Sequence, residues 1–534
     1  LREAIGQSTK PDGLPHGIFS CTIWAAAASF RQIRMLKWLL SLLAAAGIHA
    51  AVLRGVVLEN QTGRPLSRAL VEVQPVPGTA GAAKSARTDL AGVFEISGLP
   101  PGQYFVSASR PGFFKLQYGQ REWNSAGRPV AVDESEASFI NIRLPRFGAI
   151  TGKVLDEEDI GLPAHDVVAY RNTHPPELVA HAVSDDRGIY RLSGLEPGVY
   201  LVRTAGKRYE EGDYIPTFAK DAESAEQART VAVDLDRTSE GIDVRPAQGW
   251  LFEIAGEVVP QPMPGPAKVT FVSDTGRQVI ETADAFRFPP VPRGKYEIYA
   301  ESLARDRSYL RGGYLQLSVD RNDAAIRLNM AAIQLTRIFI SVGDGPPLDS
   351  SGFQLLARRR DLAGVTEPQT LKIAADRTEL APGRWELMLL PAPGYCVTSF
   401  EGPQSKQVAP GHPDGWNEVM IGWSSFVRFR LSNHPGAIHG VVLGADGKPA
   451  AGARVFLEAY DTQTRQRLLD PRVAVADLQG RYQFFGLAPG DYRILSTFEY
   501  QKPGAEVFDR AGALTVQIEE GRDKAQDLKL YELQ

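Results

Sequence analysis

The sequence predicts an all-β protein built as a tandem array of about five antiparallel β-sandwich units, and three observations carry that prediction. One phrase recurs along the chain: a Gly-aromatic step, a Leu-x-Pro-Gly turn, and an aromatic that opens an alternating apolar run. It runs from Gly92-Val93-Phe94 through Leu99-Pro100-Pro101-Gly102-Gln103-Tyr104 in one region and from Gly480-Arg481-Tyr482 through Leu487-Ala488-Pro489-Gly490-Asp491-Tyr492 in another. The 534 residues exceed what one hydrophobic core supports, so several domains of about 100 residues each are expected. Composition agrees: 43% hydrophobic and 23% charged residues are ordinary, whereas 51 Gly and 37 Pro favour many turns over long helices.

Within the fullest unit, Gly55-Val56-Val57-Leu58 opens a strand and Gly63-Arg64-Pro65-Leu66 turns the chain. Ala69, Val71 and Val73 then alternate with Leu70 and Glu72, the period of a half-buried strand. In Thr88-Asp89-Leu90-Ala91-Gly92 the Asp side chain is placed to bond backbone amides ahead of it, and Gly tolerates a positive φ. The Leu-Pro-Pro-Gly element reads as a type II turn, with Pro setting the first central torsion and Gly the second. The same order returns from Gly152-Lys153-Val154 through Asp185-Asp186-Arg187-Gly188 to Leu195-Glu196-Pro197-Gly198-Val199-Tyr200, and from Gly440-Val441-Val442 through Tyr492. Two worn copies lie between them, marked by Val291-Pro292-Arg293-Gly294-Lys295-Tyr296 and Leu380-Ala381-Pro382-Gly383-Arg384-Trp385.

Closing strands set the borders. Phe139–Leu144, Gly241–Val244, Ala325–Leu328 and Ser425–Leu431 alternate at period two just before a new opening strand. The expected units are therefore 51–147, 148–246, 247–331, 332–432 and 433–534, the third and fourth degenerate. Linkers of a few residues favour a stiff rod or a curved stack over beads on a string. Helical patterning is nearly absent, with Ala219–Arg229 the one candidate for a short helix.

The first Met is Met35, followed by Leu36-Lys37-Trp38-Leu39-Leu40-Ser41-Leu42-Leu43-Ala44-Ala45-Ala46. A short positive start, an apolar stretch and small residues read as a signal peptide over 35–50, cleaved near Ala50. Residues 1–34 are then a non-translated or disordered extension; the alternative is a genuine extension ahead of a buried or membrane helix. Of the two cysteines, Cys21 precedes the cleavage point and Cys396 follows it, so the mature chain has no internal disulfide. The expected location is secreted, periplasmic or at the cell envelope, with no membrane span in the mature chain.

These residues carry a resemblance. The Gly-x-Val, Ala-x-Val, Asp-x-x-Gly-x-Tyr/Phe and Leu-x-Pro-Gly-x-Tyr-x-Val series resembles the carboxypeptidase regulatory-like domain of secreted bacterial multi-repeat proteins, strongly over 51–246 and 433–534 and weakly over 247–432. The resemblance implies a transthyretin-like, Greek-key sandwich related to the Cna-B-like domains. It does not import the peptidase activity of the enzymes beside which such domains are found.

Candidate chemistry is sparse. A zinc peptidase needs His and Glu ligands converging at close spacing, and His165, His174 and His181 lack it; they read as surface histidines in turns and edges. No Gly-x-Ser-x-Gly nucleophile elbow occurs. The Asp-x-x-Gly turns at Asp89, Asp185 and Asp477 each offer one carboxylate, far short of a calcium shell, and read as turn caps. With a net charge of −4 and dispersed basic residues, no nucleic-acid footprint is visible. No enzyme, metal or cofactor is expected.

Aromatics remain. Tyr104, Tyr200, Tyr296, Trp385 and Tyr492 recur at one unit position and read as core. Tyr118 and Trp123, Tyr209 and Tyr214, Tyr309 and Tyr314, and Trp416 and Trp423 fall outside the recurring strands. Two readings stay open for them: they fill seams between units, or they stack on sugars, with Tyr118, Trp123, Tyr214 and Trp416 the candidate ligand-stacking residues. The expected function is a non-enzymatic structural or binding protein, with a polysaccharide or another envelope protein as partner.

Overall fold

The computed structural model describes residues 51–533, apart from 134–137, 174–175, 261–264, 275, 303–310, 333–334, 410 and 423–424. The expected extension 1–34 and signal peptide 35–50 lie outside the described residues, as do His174, Tyr309 and Trp423. Strands dominate, and the sheets pair off along the chain. In the first pair, Ala51–Glu59 lies between Val93–Leu99 and Ser138–Leu144, facing a sheet built on Leu70–Pro75 and Gly102–Ser109. Large buried clusters follow the same order: one around Tyr104 and Phe94, then others around Tyr190 and Tyr200, Phe271 and Phe288, Trp385 and Phe429, and Tyr482 and Tyr492.

Each opening strand pairs antiparallel with the strand after the Asp turn and parallel with the closing strand. That parallel partner explains the glycine of Gly-x-Val. A Cβ at Gly55, Gly152, Gly256 or Gly440 would overlap the carbonyl oxygen of Ile140, Ile242, Ile326 or Gln526. Gly256-Glu257-Val258 shows that the third unit keeps this feature despite its worn turn.

The Asp turns are backbone devices. Asp89 Oδ1 accepts the N–H groups of Ala91 and Val93, Asp185 those of Arg187 and Ile189, and Asp477 those of Gln479 and Arg481, all at 2.8–3.0 Å. The Leu-x-Pro-Gly element differs from the type II turn expected. Gly102, Gly198 and Gly490 sit at φ of +157°, +159° and +155°, far from the roughly +80° of that turn. The left-handed residue is instead the glycine before Leu: Gly98, Gly194 and Gly486 at +72°, +77° and +65°. At these glycines the pairing with the opening strand slips by one residue, a bulge that turns the strand into the loop.

The recurring aromatic then holds the turn from inside. Tyr104, Tyr200, Tyr296 and Tyr492 donate their hydroxyls to Pro100, Glu196, Pro292 and Ala488 carbonyls at 2.6, 2.7, 2.8 and 2.9 Å, each four residues earlier. Trp385 Nε1–H does the same to Ala381 at 2.8 Å. An aromatic with a polar handle suits this position because its ring fills the core while its hydroxyl or indole N–H reaches the turn carbonyl.

One further expectation gives way. Residues 219–229 form turns, not a helix: Lys220 and Asp221 take φ of +69° and +60°, and Phe218 and Ala222 pair across them. The α-helix among the described residues is Ala505–Arg510, which buries Val507 and Phe508 against Phe456 and Leu495.

Of the stiff rod and the curved stack left open by the short linkers, the contact of the first unit with the last agrees with the curved stack. Ala126 N–H donates to Phe498 O at 2.7 Å, Gln501 N–H to Asn124 O at 2.5 Å, and Leu478 N–H to Pro77 O at 3.1 Å. Arg128 reaches Glu499 and Glu532 at 3.5 and 3.2 Å, and Glu499 is only 3% exposed. Ala126 itself lies in the buried cluster of the last sandwich. The seams between successive units are equally specific. At the third and fourth, the buried Asp361 receives Arg277 at 2.8 and 2.6 Å, while Arg359 lies between the Tyr299 and Trp385 rings and pairs with Glu301.

Candidate functional site

The loops that carry the candidate aromatics gather at the junctions between sandwiches, and each junction treats its ring differently. Tyr118 follows the short strand Leu116–Gln117; its N–H donates to Val106 O at 2.7 Å and its half-buried ring packs on the first core. Trp123 sits in a tight loop, where Ser125 Oγ accepts the Arg121 and Glu122 amides at 3.0 Å and Gln120 Nε2 donates to Trp123 O at 2.7 Å. Trp123 is 38% exposed. The two rings share a cleft of about 440 Å³ with Asn60, Arg121, Arg143 and Asp236. Asp236 arrives from the second unit and is already engaged, accepting from Asn60 Nδ2 at 2.9 Å and the Arg146 amide at 2.7 Å.

Tyr214 is turned inward. It lies in the hairpin Lys207–Arg208 with Asp213–Tyr214, is 6% exposed, and packs edge-on against Tyr209 at 5.7 Å. Of the two readings open for this ring, its burial fits packing. The same hairpin instead frames a ring that sequence reasoning passed over: Trp250, 81% exposed, at a cleft of about 660 Å³ lined by Arg208, Asp213, Gln248 and Asn322. Its signal was present in the sequence, a Trp flanked by Gly249 and a buried Leu251 just past a closing strand, but no recurring pattern points to it.

Trp416 is half-buried, with the Arg358 guanidinium 4.1 Å above its ring. It borders a groove of about 1020 Å³ between the fourth and fifth sandwiches, lined also by Tyr395, Leu469, Phe485 and Arg472. Close by, His412 meets Tyr492 edge-on at 5.4 Å across the same junction. Trp416 thus lies partly in the seam and partly on the groove wall. The structure brings Tyr118 and Trp123 together and leaves Tyr214 and Trp416 at separate junctions.

The histidines need one correction. His165 is fully buried, not a surface residue: Nε2 faces Ala205 O and Nδ1 faces Tyr209 Oη, both at 3.0 Å. Burial pulls its pKa from 6.5 down to about 4, against the opposing pull of the Ala205 carbonyl. It is therefore a neutral packing residue near neutral pH. His181 is exposed and lies 2.7 Å from Asp166. Among the described residues no three His, Cys, Asp or Glu side chains converge as a metal site. Cys396 is buried, which pushes its thiol up to about 11 and leaves it mainly protonated.

Comparison with known proteins places part of this architecture. The carboxypeptidase regulatory-like domain family matches residues 52–145. No curated protein matches the chain. Among solved structures, the minor pilin of Streptococcus agalactiae is similar at 19% identity, covering 38% of this chain and 97% of that one, with a TM-score of 0.24. The Bacillus anthracis TIE protein aligns at 11% identity over 94% of this chain and 79% of its own, with a TM-score of 0.18. The major pilin subunit of Bacillus cereus aligns at 11% identity over 72% and 99%, with a TM-score of 0.15. Scores this low carry no argument about function. The chain is thus an all-β protein that bears a carboxypeptidase regulatory-like domain at residues 52–145.

Proposed function

We propose that the protein is a non-enzymatic structural element of the cell envelope or the exported fraction, in which five sandwiches at 51–147, 148–246, 247–331, 332–432 and 433–534 act as one closed body. The observation that supports this most is the docking of the first unit on the last, through backbone bonds from Ala126 and Gln501 and the Arg128 ion pairs. A chain that ties its ends together resists unravelling and presents fixed loops to partners. No helix among the described residues is long and apolar enough to cross a membrane. The partner would be another envelope protein, held at fixed loops or sheet edges. Fractionation of cells expressing the tagged chain, followed by chemical cross-linking, tests the proposal. Export, with a cross-linked envelope protein, is expected; retention in the cytosol overturns it.

A second reading, polysaccharide binding at the first junction, is favoured by one observation: Trp123 is exposed beside Tyr118 in a cleft that also offers Asn60 and Arg121. Loss of polysaccharide retention on Trp123→Ala in affinity electrophoresis is its expected signature, and unchanged retention removes it.

A further inference from the structure

We propose that Trp250 is the stacking platform of a second saccharide site, at the junction of the second and third sandwiches, which takes an uncharged chain of equatorially linked pyranose rings. A single exposed apolar side chain is ordinary on a protein surface, so exposure alone does not carry this. The way the ring is held does. Trp250 is the most exposed tryptophan among the described residues at 81%, yet both neighbours are pinned. Gly249 N–H donates to Asp213 O at 3.0 Å, Leu251 N–H donates to Asp213 Oδ2 at 3.1 Å, and Arg208 Nη2 donates to Leu251 O at 2.9 Å. Leu251 is itself buried, so the indole projects from a fixed backbone. The backbone that carries the ring is thus ordered before any ligand arrives.

The surroundings select the ligand. Arg208 and Asp213 form a two-point ion pair at 2.7 and 3.0 Å, which removes net charge from the cleft wall while leaving planar polar edges. Gln248 and Asn322 add amides, Asn322 from the third unit. A pyranose ring with equatorial hydroxyls presents an apolar C–H face to an indole and a rim of hydroxyls to guanidinium, carboxylate and amide groups. The wall mixes these polar groups with Phe252 and Leu251, the combination a sugar ring with one apolar face and a hydroxyl rim would meet.

The test uses the full chain, with cellohexaose, chitohexaose and xylohexaose as probes in calorimetric and tryptophan-fluorescence titrations. At least one probe is expected to bind, Trp250→Ala to weaken it about tenfold or more, and Trp250→Tyr to retain part of the affinity with an unchanged circular dichroism spectrum. Failure of all three probes, or unchanged affinity in Trp250→Ala, overturns the proposal. Affinity lost on Trp123→Ala but kept in Trp250→Ala also overturns it and assigns binding to the first junction. The structural role is decided separately, by cell fractionation.

Discussion

Replacing Tyr492 by Phe removes one oxygen and tests whether the recurring aromatic is a core filler or a clamp on its turn. Tyr492 is 3% exposed, its hydroxyl is buried, and that hydroxyl donates to Ala488 O at 2.9 Å. The ring stays, so packing is almost unchanged, while the Ala488 carbonyl loses its donor inside the protein. A lost hydrogen bond of this kind costs about 1 kcal/mol, and stranding a buried acceptor raises the figure to about 2. Tyr104, Tyr200 and Tyr296 bond at less enclosed positions, so their Phe variants should cost about half as much, near 0.5–1 kcal/mol. Unfolding of a multi-unit chain need not be two-state, so the readout is hydrogen exchange by mass spectrometry on the peptide spanning Gly486–Ile494. Tyr492→Phe should speed exchange of that peptide about tenfold or more, and Tyr492→Leu further, through lost ring contacts. If Tyr492→Phe exchanges like the wild type while Tyr492→Leu does not, the ring alone holds the turn and the clamp is wrong.

Other outcomes follow from the same geometry. Gly440→Ala forces a Cβ into the Gln526 carbonyl, so the last sandwich should lose its closing strand and become sensitive to limited proteolysis, whereas Gly276→Ala, in open space, should not. Arg128→Glu places a carboxylate beside Glu499 and Glu532; the first and last units should separate, raising the radius of gyration in X-ray scattering, and an unchanged radius would refute the ion pairs as the fastening. His165 is held neutral by burial, with a pKa near 4 against 6.5 unfolded, so acid protonates the unfolded chain first. Its contribution is complete above pH 6.5 and falls away as pH drops toward 4, by about 2 kcal/mol at about pH 5. Urea midpoints near pH 7 and pH 5 should show that loss in the wild type and less of it in His165→Gln.

Much of the local structure was legible because it depends on neighbours in sequence. The Asp turn, the alternating strands and the turn before each core aromatic all act within a few residues, so their spacing shows directly in the chain. The turn type is not legible in Pro-Gly, because the positive φ of Gly98, Gly194 and Gly486 belongs to a bulge set by pairing with a strand some forty-five to fifty residues away. His165 reads as a surface residue for a related reason: its burial, like that of Tyr214, comes from the Lys207–Tyr214 hairpin folding over the second sandwich, a feature without a counterpart in the repeat.

The sequence by itself determined the class of the fold, the order of its repeated strands and the residues that fill each core, because hydrophobic alternation and turn chemistry are local properties of a chain. Only the tertiary structure decided that Gly55, Gly152, Gly256 and Gly440 face the carbonyls of parallel partners, that Trp250 stands exposed while Tyr214 is covered, and that Arg128 meets Glu499 across 371 positions. Such contacts depend on how whole sandwiches are set against one another, and the side chains that make them follow no period along the sequence.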